Sequence, residues 1–229
     1  MKASTMHTEQ TAQAAFAPLI DDLGFYPVLP DAQWVERVLQ WGARSVQLRF
    51  KPAGHSQADI AQQVRAAVAA GRSVEGAQVF INDHWQVALD AGAYGVHLGQ
   101  EDWAALSDAE RQALRASGMR LGLSTHTPEE LALAKAAQPS YLAIGPVFPT
   151  TLKAMPYAPV GLERLQHWAQ QAAPYPVVAI GGITLAQLAG VMACGVNGVA
   201  VVSAVTQAEE PQRAVATGLH CASGSGVPG

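Results

Sequence analysis

Charge, cysteine and long apolar runs are all scarce in this chain, and each shortage removes a class of function. Charged residues make up 14% of the sequence, with 14 Lys and Arg against 18 Asp and Glu. The basic residues are scattered singly, so no basic stripe follows a nucleic-acid backbone. Two cysteines, Cys194 and Cys221, cannot build a disulfide framework, and no CxxC pair suggests zinc or redox work. Both are expected as reduced thiols. The seven histidines show no HExxH spacing. Residues 1–20 contain no arginine and no long apolar core, so they read as neither transit peptide nor secretory signal. Residues 165–208 carry no Lys, Arg, Asp or Glu, but Pro174, Pro176, Gly181, Gly182, Gln187, Gly195 and Asn197 interrupt them. No run approaches the roughly 20 apolar residues of a spanning helix. The expectation is a cytoplasmic protein that engages neither nucleic acid nor membrane.

What is abundant is core material: 49% of the residues are hydrophobic. Short runs of Val, Ile and Leu alternate with longer amphipathic segments, the pattern of βα units and a parallel sheet. Strands are predicted over 25–29, 45–50, 78–83, 95–99, 120–125, 141–145, 177–180 and 198–203. Helices are predicted near 31–42, 57–72, 84–92, 107–117, 128–137, 161–172, 184–194 and 208–219. Asp31, Ser56, Asp83, Ser107, Thr127 and Thr184 stand where helix caps belong. Gly71, Gly92, Gly118 and Gly195 stand where helices would close. Eight strands and eight helices in alternation specify a (β/α)8 TIM barrel, which removes the exposed edges of an open sheet. An open doubly wound sheet would want a Gly-rich phosphate loop after its first strand, and Pro30-Asp31-Ala32 is not one. The barrel is expected to span 23–220, with a mobile extension over 1–22 and a flexible tail over 221–229.

Active sites of this fold form at the C-terminal ends of the strands. The second strand ends in Gln47, Arg49 and Lys51 on one alternating face, and the third in Asn82 and Asp83. The fourth runs into Gln100, Glu101 and Asp102, the fifth carries Ser124 and His126, and the sixth leads through Thr150, Thr151 and Leu152 to Lys153. The seventh ends in Gly181-Gly182 and the eighth in Val202-Ser203. Three cations thus face a few carboxylates. Hard oxygen ligands without cysteine suit Mg²⁺ bound jointly with substrate phosphate, and the cations imply a small, highly anionic ligand such as a diphosphate. Bare backbone N–H groups after the seventh and eighth strands suit a second phosphate. Taken singly, Asp83 reads equally well as a helix cap, Lys153 as a surface lysine, His126 as a structural hydrogen bonder and His97 as a buried core histidine.

These same segments resemble the thiamine-phosphate synthase family. The match runs in family order from about residue 24 to 206, through Val46-Gln47-Leu48-Arg49-Phe50-Lys51, Ile81-Asn82-Asp83, the highly specific run 95–102, Leu123-Ser124-Thr125-His126, 145–150 with Lys153, Val178-Ala179-Ile180-Gly181-Gly182-Ile183, and 200–204. The resemblance implies that Gln47, Arg49, Lys51, Asn82, Ser124 and Lys153 bind hydroxymethylpyrimidine diphosphate, with Arg49, Lys51 and Lys153 carrying the catalytic charge. It implies that Asp83 and Asp102 hold Mg²⁺. Thr150, Gly182, Val202 and Ser203 would hold thiazole phosphate, with Thr151 and Leu152 in the same subsite. The implied reaction expels diphosphate by a dissociative route that needs no protein nucleophile. One departure falls in this subsite: the family's Thr-x-Thr-Lys is here Thr150-Thr151-Leu152-Lys153, one hydroxyl fewer. Two alternatives stay open, a thiazole tautomerase-like isomerase using His126 and a non-catalytic barrel that binds thiamine precursors. A homodimer is left open as well.

Overall fold

The computed structural model describes residues 15–150 and 157–223. Its elements follow in the order β1 (Gly24–Leu29), α1 (Ala32–Gln40), β2 (Ser45–Leu48), α2 (Gln57–Arg72), β3 (Gln78–Asn82), α3 (Trp85–Ala91), β4 (Gly95–Leu98), α4 (Gln100–Ala105) and α5 (Asp108–Ala116). Then come β5 (Arg120–Thr125), α6 (Pro128–Ala136), β6 (Tyr141–Ile144), α7 (Gly161–Ala172), β7 (Val177–Ile180), α8 (Leu188–Met192), β8 (Gly198–Val201), α9 (Ser203–Thr206) and α10 (Pro211–Ala222). All strand pairs are parallel, and β1 pairs with both β2 and β8, so the sheet closes as the expected barrel.

Strand side chains alternate between two buried layers. One set, including Val46, Leu48, Val79, Ile81, Val96, Leu98, Leu121 and Leu123, packs under the helices. The other fills the barrel: Tyr26, Val28, Phe80, Tyr141, Ala143, Val178 and Ala200. Because both faces are covered, the strands read as continuous apolar runs. Inside, large residues sit opposite small ones. A Cβ on Gly95 would strike the Phe80 ring, and one on Gly122 would strike the Tyr141 ring. Each fully buried Val, Leu or Phe side chain contributes roughly 1.5–3 kcal/mol relative to exposure.

Several caps form as the sequence implied. Asp31 accepts from the Trp34 N–H at 2.8 Å, Ser56 and Asp59 form a reciprocal capping box, and so do Ser107 and Glu110. Thr127 accepts from the Glu130 N–H, with Pro128 opening α6. Other expectations are corrected. His84, not Asp83, occupies the N-cap position of α3, and no side-chain bond caps that helix. Gly71 does not close α2 in a left-handed turn; it lies inside the helix, where its missing Cβ lets Val79 approach. The helix expected near 184–194 is a 3-10 turn, Leu185–Gln187, followed by the short α8. α4 and α9 were not anticipated, because six and four residues are too few to show a 3.6-residue period. Residues 15–22, expected outside the barrel, lie across its base. Ser140 Oγ donates to the Ala17 carbonyl at 2.6 Å, Arg120 Nε to Pro18 at 3.0 Å, and Gln78 Nε2 to Asp21 at 3.2 Å. α10 also runs two residues past the expected boundary at 220.

No helix among the described residues is long and apolar enough to cross a membrane. Cys194 and Cys221 are free thiols.

Candidate active site

The C-terminal strand ends carry two groups of residues side by side. The first begins on β2. Gln47 points into the barrel, is 3% exposed, and donates from Nε2 to the Tyr26 hydroxyl at 3.1 Å. Arg49 follows two residues later, and its N–H extends the ladder by bonding Leu29 at 2.8 Å. β2 ends at Leu48, so the alternation expected to carry through Lys51 stops early, and Lys51 is exposed in the loop over 49–56. His84 Nε2 bonds the Phe50 carbonyl at 2.9 Å, tying that loop to the start of α3. A carbonyl only accepts, so this nitrogen carries the proton.

Asp83 takes a left-handed backbone conformation, φ +61°, directly after β3. Part of its side chain faces solvent, yet surrounding protein and then the Asp102 charge raise its carboxyl above the usual range. Arg49 and His84, with a hydrogen bond from Asn82, draw it back down. Asp83, Asp102 and Arg49 are therefore near enough to feel one another. Asp102 lies in the first turn of α4, its carboxylate folded back over Gly99. Two carboxylates that repel are what a bound cation would relieve, and their oxygens suit a hard divalent ion completed by phosphate and water. Among the described residues no third His, Cys, Asp or Glu joins them.

On β5, Ser124 Oγ lies 2.8 Å from His97 Nε2, and His97 Nδ1 lies 2.7 Å from the Tyr141 hydroxyl. His97 is 6% exposed, and burial followed by the Arg49 charge lowers its pKa to about 4. Burial first of all raises the Tyr26 and Tyr141 hydroxyls above their ordinary value, so both keep their protons. Nearby, His126 Nδ1 bonds Glu130 at 2.8 Å, while Tyr157 donates to the same carboxylate at 3.1 Å and stacks on the His126 ring. His126 is thus held in the structural hydrogen bond that its sequence position suggested.

The second group surrounds a cavity of about 680 Å³ whose walls include Pro149, Thr150, Gly182, Thr184, Ser203 and Gln207. Gly182 must be glycine: φ is +68°, and a Cβ would run into the carbonyl oxygens of Phe148 and Pro149. The Val147 and Phe148 N–H groups bond Ile180 and Gly181, each at 3.0 Å, which locks the ends of β6 and β7 together. Ser203 opens the one-turn α9, where the first N–H groups have no carbonyl of their own helix to bind. Val202 packs on the barrel interior just below.

Thr150, Gly182 and Ser203 are thus brought together, with Val202 beneath them. Gln47, Arg49, Asn82, Asp83, Asp102 and Ser124 converge at the neighbouring strand ends. Thr151, Leu152 and Lys153 lie outside the described residues. Sequence reading missed Thr184 and Gln207 as cavity walls. It also missed Tyr26 and Tyr141, whose only signal is their inward parity on their strands.

Comparisons with known proteins show the family of this chain. The thiamine monophosphate synthase family model matches residues 19–205. The thiamine-phosphate synthase of Escherichia coli O1:K1 / APEC is 49% identical over 210 residues, covering 92% of this chain and 97% of the relative. That of Klebsiella pneumoniae subsp. pneumoniae is 49% identical over 214 residues, covering 93% and 98%. Among solved structures, thiamine phosphate pyrophosphorylase from Pyrococcus furiosus superposes with a TM-score of 0.77 at 30% identity, covering 90% of this chain and 98% of its own. With a family model spanning most of its length and relatives this similar end to end, the chain belongs to the thiamine monophosphate synthase family.

Proposed function

We propose that this protein joins hydroxymethylpyrimidine diphosphate to thiazole phosphate, releasing diphosphate and giving thiamine phosphate. The observation that carries this reading is a charged cluster and a separate cavity side by side at one barrel mouth. A cation-and-carboxylate cluster ends β2, β3 and β4, and a cavity walled by Thr150, Gly182 and Ser203 ends β6, β7 and β8. An isomerase would need only one of them, so Arg49, Asp83 and Asp102 favour the synthase over the tautomerase alternative.

In this reading the bond between the pyrimidine methylene and the diphosphate oxygen breaks, and the electron pair leaves with diphosphate. The thiazole nitrogen then donates its lone pair to the methylene cation. No protein group forms a covalent bond, and no proton moves to make the new one. Arg49, Lys51 and Lys153 neutralise the charge growing on the leaving group, the kind of preorganised stabilisation that counts most in a water-poor site. Asp83 and Asp102 would hold Mg²⁺, which would share that charge when bound. Thr150, Gly182, Val202 and Ser203, with Thr151 and Leu152, position the thiazole phosphate so that its ring faces the methylene. The substrates are small phosphorylated molecules, and the proposed setting is the cytoplasm.

The subsite assignment has its own test. Ser203→Ala should raise the Michaelis constant for thiazole phosphate about tenfold, the worth of one hydrogen bond to a charged group. The constant for pyrimidine diphosphate should stay unchanged. The reverse pattern would show that the two subsites have been exchanged.

A further inference from the structure

A continuous chain of hydrogen bonds crosses the inside of the barrel and ends at the mouth. Gln47 Nε2 donates to Tyr26 Oη at 3.1 Å, and Tyr26 Oη and Tyr141 Oη are 3.1 Å apart. Tyr141 Oη is 2.7 Å from His97 Nδ1, and His97 Nε2 is 2.8 Å from Ser124 Oγ. Tyr26, Gln47, His97 and Tyr141 are each buried, and only Ser124 reaches toward solvent. The four links therefore have to be made from the protons these groups own.

With the Gln47 amide nitrogen turned toward Tyr26 Oη, counting those protons gives the direction of every link. Tyr26 accepts from the Gln47 amide, so its own single proton must go to Tyr141. Tyr141 then has only its own proton to place, and it goes to His97 Nδ1. A neutral imidazole with Nδ1 accepting carries its hydrogen on Nε2, which donates to Ser124. The opposite direction would leave Tyr26 receiving two donors, with its own O–H stranded in a dry interior. Leaving a buried donor unmet disfavours that arrangement roughly tenfold or more.

We propose that this buried chain holds the proton of His97 on Nε2 and so commits the Ser124 hydroxyl proton to an acceptor atom of the pyrimidine diphosphate. Tyr26, Tyr141 and His97 are positioning residues, each acting through the next. Among the described residues Ser124 Oγ has no other hydrogen-bond partner, so its proton is free to point outward. The Gln47 amide sets the polarity of the whole chain. An acceptor-only group at that position would turn every link around and point the Ser124 proton inward. The proton count rests on the orientation of the Gln47 amide; the identity of the ligand rests on the function proposed above.

The test begins without substrate. In the full-length protein labelled with ¹⁵N-histidine, the His97 ring should show Nε2 protonated and Nδ1 bare. In Gln47→Glu the pattern should invert. Nδ1 protonated and Nε2 bare in the parent protein would overturn the proposal. Should Gln47→Glu fail to fold, Tyr141→Phe serves: it deletes one link and should raise the Michaelis constant for pyrimidine diphosphate about tenfold, leaving that for thiazole phosphate unmoved. Equal change in both constants would mean a merely structural role and would sink the idea. Ser124→Ala should likewise weaken inhibition by inorganic diphosphate or by hydroxymethylpyrimidine, whichever supplies the acceptor. If inhibition by both is unchanged, Ser124 donates to neither. A parent protein with the expected proton pattern but no thiamine phosphate formation would refute the proposed function while leaving the proton count intact.

Discussion

At the scale of single residues, His97 and Asp83 carry opposite electrostatic burdens. His97 is buried without a carboxylate partner and has its pKa lowered to about 4 from an ordinary 6.5. The unfolded chain therefore takes up a proton near pH 6.5 that the folded chain refuses until about pH 4. Stability owed to the neutral ring is fully present above pH 6.5 and drains away as pH falls through that window. The shift corresponds to about 3 kcal/mol by linkage. We expect His97→Gln to flatten the loss of stability between pH 7 and 4 by that order, measured by urea unfolding at each pH. An identical slope in both proteins would show that His97 is not the group responsible. The Asp83 carboxyl is pushed up instead, first by burial and then by the Asp102 charge. If the pair holds Mg²⁺, Asp83→Asn or Asp102→Asn should cut turnover at least a hundredfold, the scale set by loss of one preorganised charge-stabilising group. The Mg²⁺ requirement should rise and the melting temperature change little. Full activity with a lowered melting temperature would make these carboxylates structural.

At the scale of elements, glycines decide how closely helices and strands meet. Gly218 of α10 lies against the Phe25 ring of β1, where an added Cβ would collide with ring carbons. Gly218→Ala is expected to cost about 1–3 kcal/mol, the usual range for overpacking, as read by thermal or urea unfolding. A neutral result would mean that α10 shifts freely on the barrel. The segment between β6 and α7 holds a departure from the family resemblance. It carries Leu152 where the family resemblance implies a second hydroxyl, so in the proposed function the thiazole phosphate would lack one donor. Leu152→Thr should lower the thiazole-phosphate Michaelis constant about tenfold on the same hydrogen-bond scale. An unchanged constant would show that Thr151 or a backbone amide already makes that bond.

Which elements were legible in the sequence follows from their physics. Strands buried on both faces announce themselves as unbroken apolar runs, and polar residues at their ends mark the mouth. Asp83, Asp102 and Ser124 are placed at the mouth on that ground, and the structure puts them at or just past the strand ends. Short elements were not visible, since α9 has four residues and no periodicity to detect. Nor was the chain from Gln47 to Ser124. Its central contact joins tyrosines 115 positions apart, and it exists only because Gly122 leaves room for the Tyr141 ring. Asp83 reads equally well as a cap in the sequence because a carboxylate before a helix is a common cap signal, whereas His84 takes that position. Its left-handed backbone and the neighbouring Asp102 are tertiary facts that no local pattern encodes.

At the scale of the whole molecule, the barrel separates stability from chemistry. Its base is covered by residues 15–22, pinned to Ser140, Arg120 and Gln78. Its opposite end sets the Arg49, Asp83 and Asp102 cluster beside the cavity walled by Thr150, Gly182 and Ser203. A protein built this way should act on two phosphorylated molecules at once, and neither alone should react to product. The most direct measurement is a turnover assay with hydroxymethylpyrimidine diphosphate, thiazole phosphate and Mg²⁺, resolved chromatographically and repeated with each component omitted. The expected result is equimolar thiamine phosphate and diphosphate from the complete mixture, with none when either organic substrate is left out and little without Mg²⁺. No thiamine phosphate from the complete mixture, given a folded protein that binds both ligands, would contradict the proposed function.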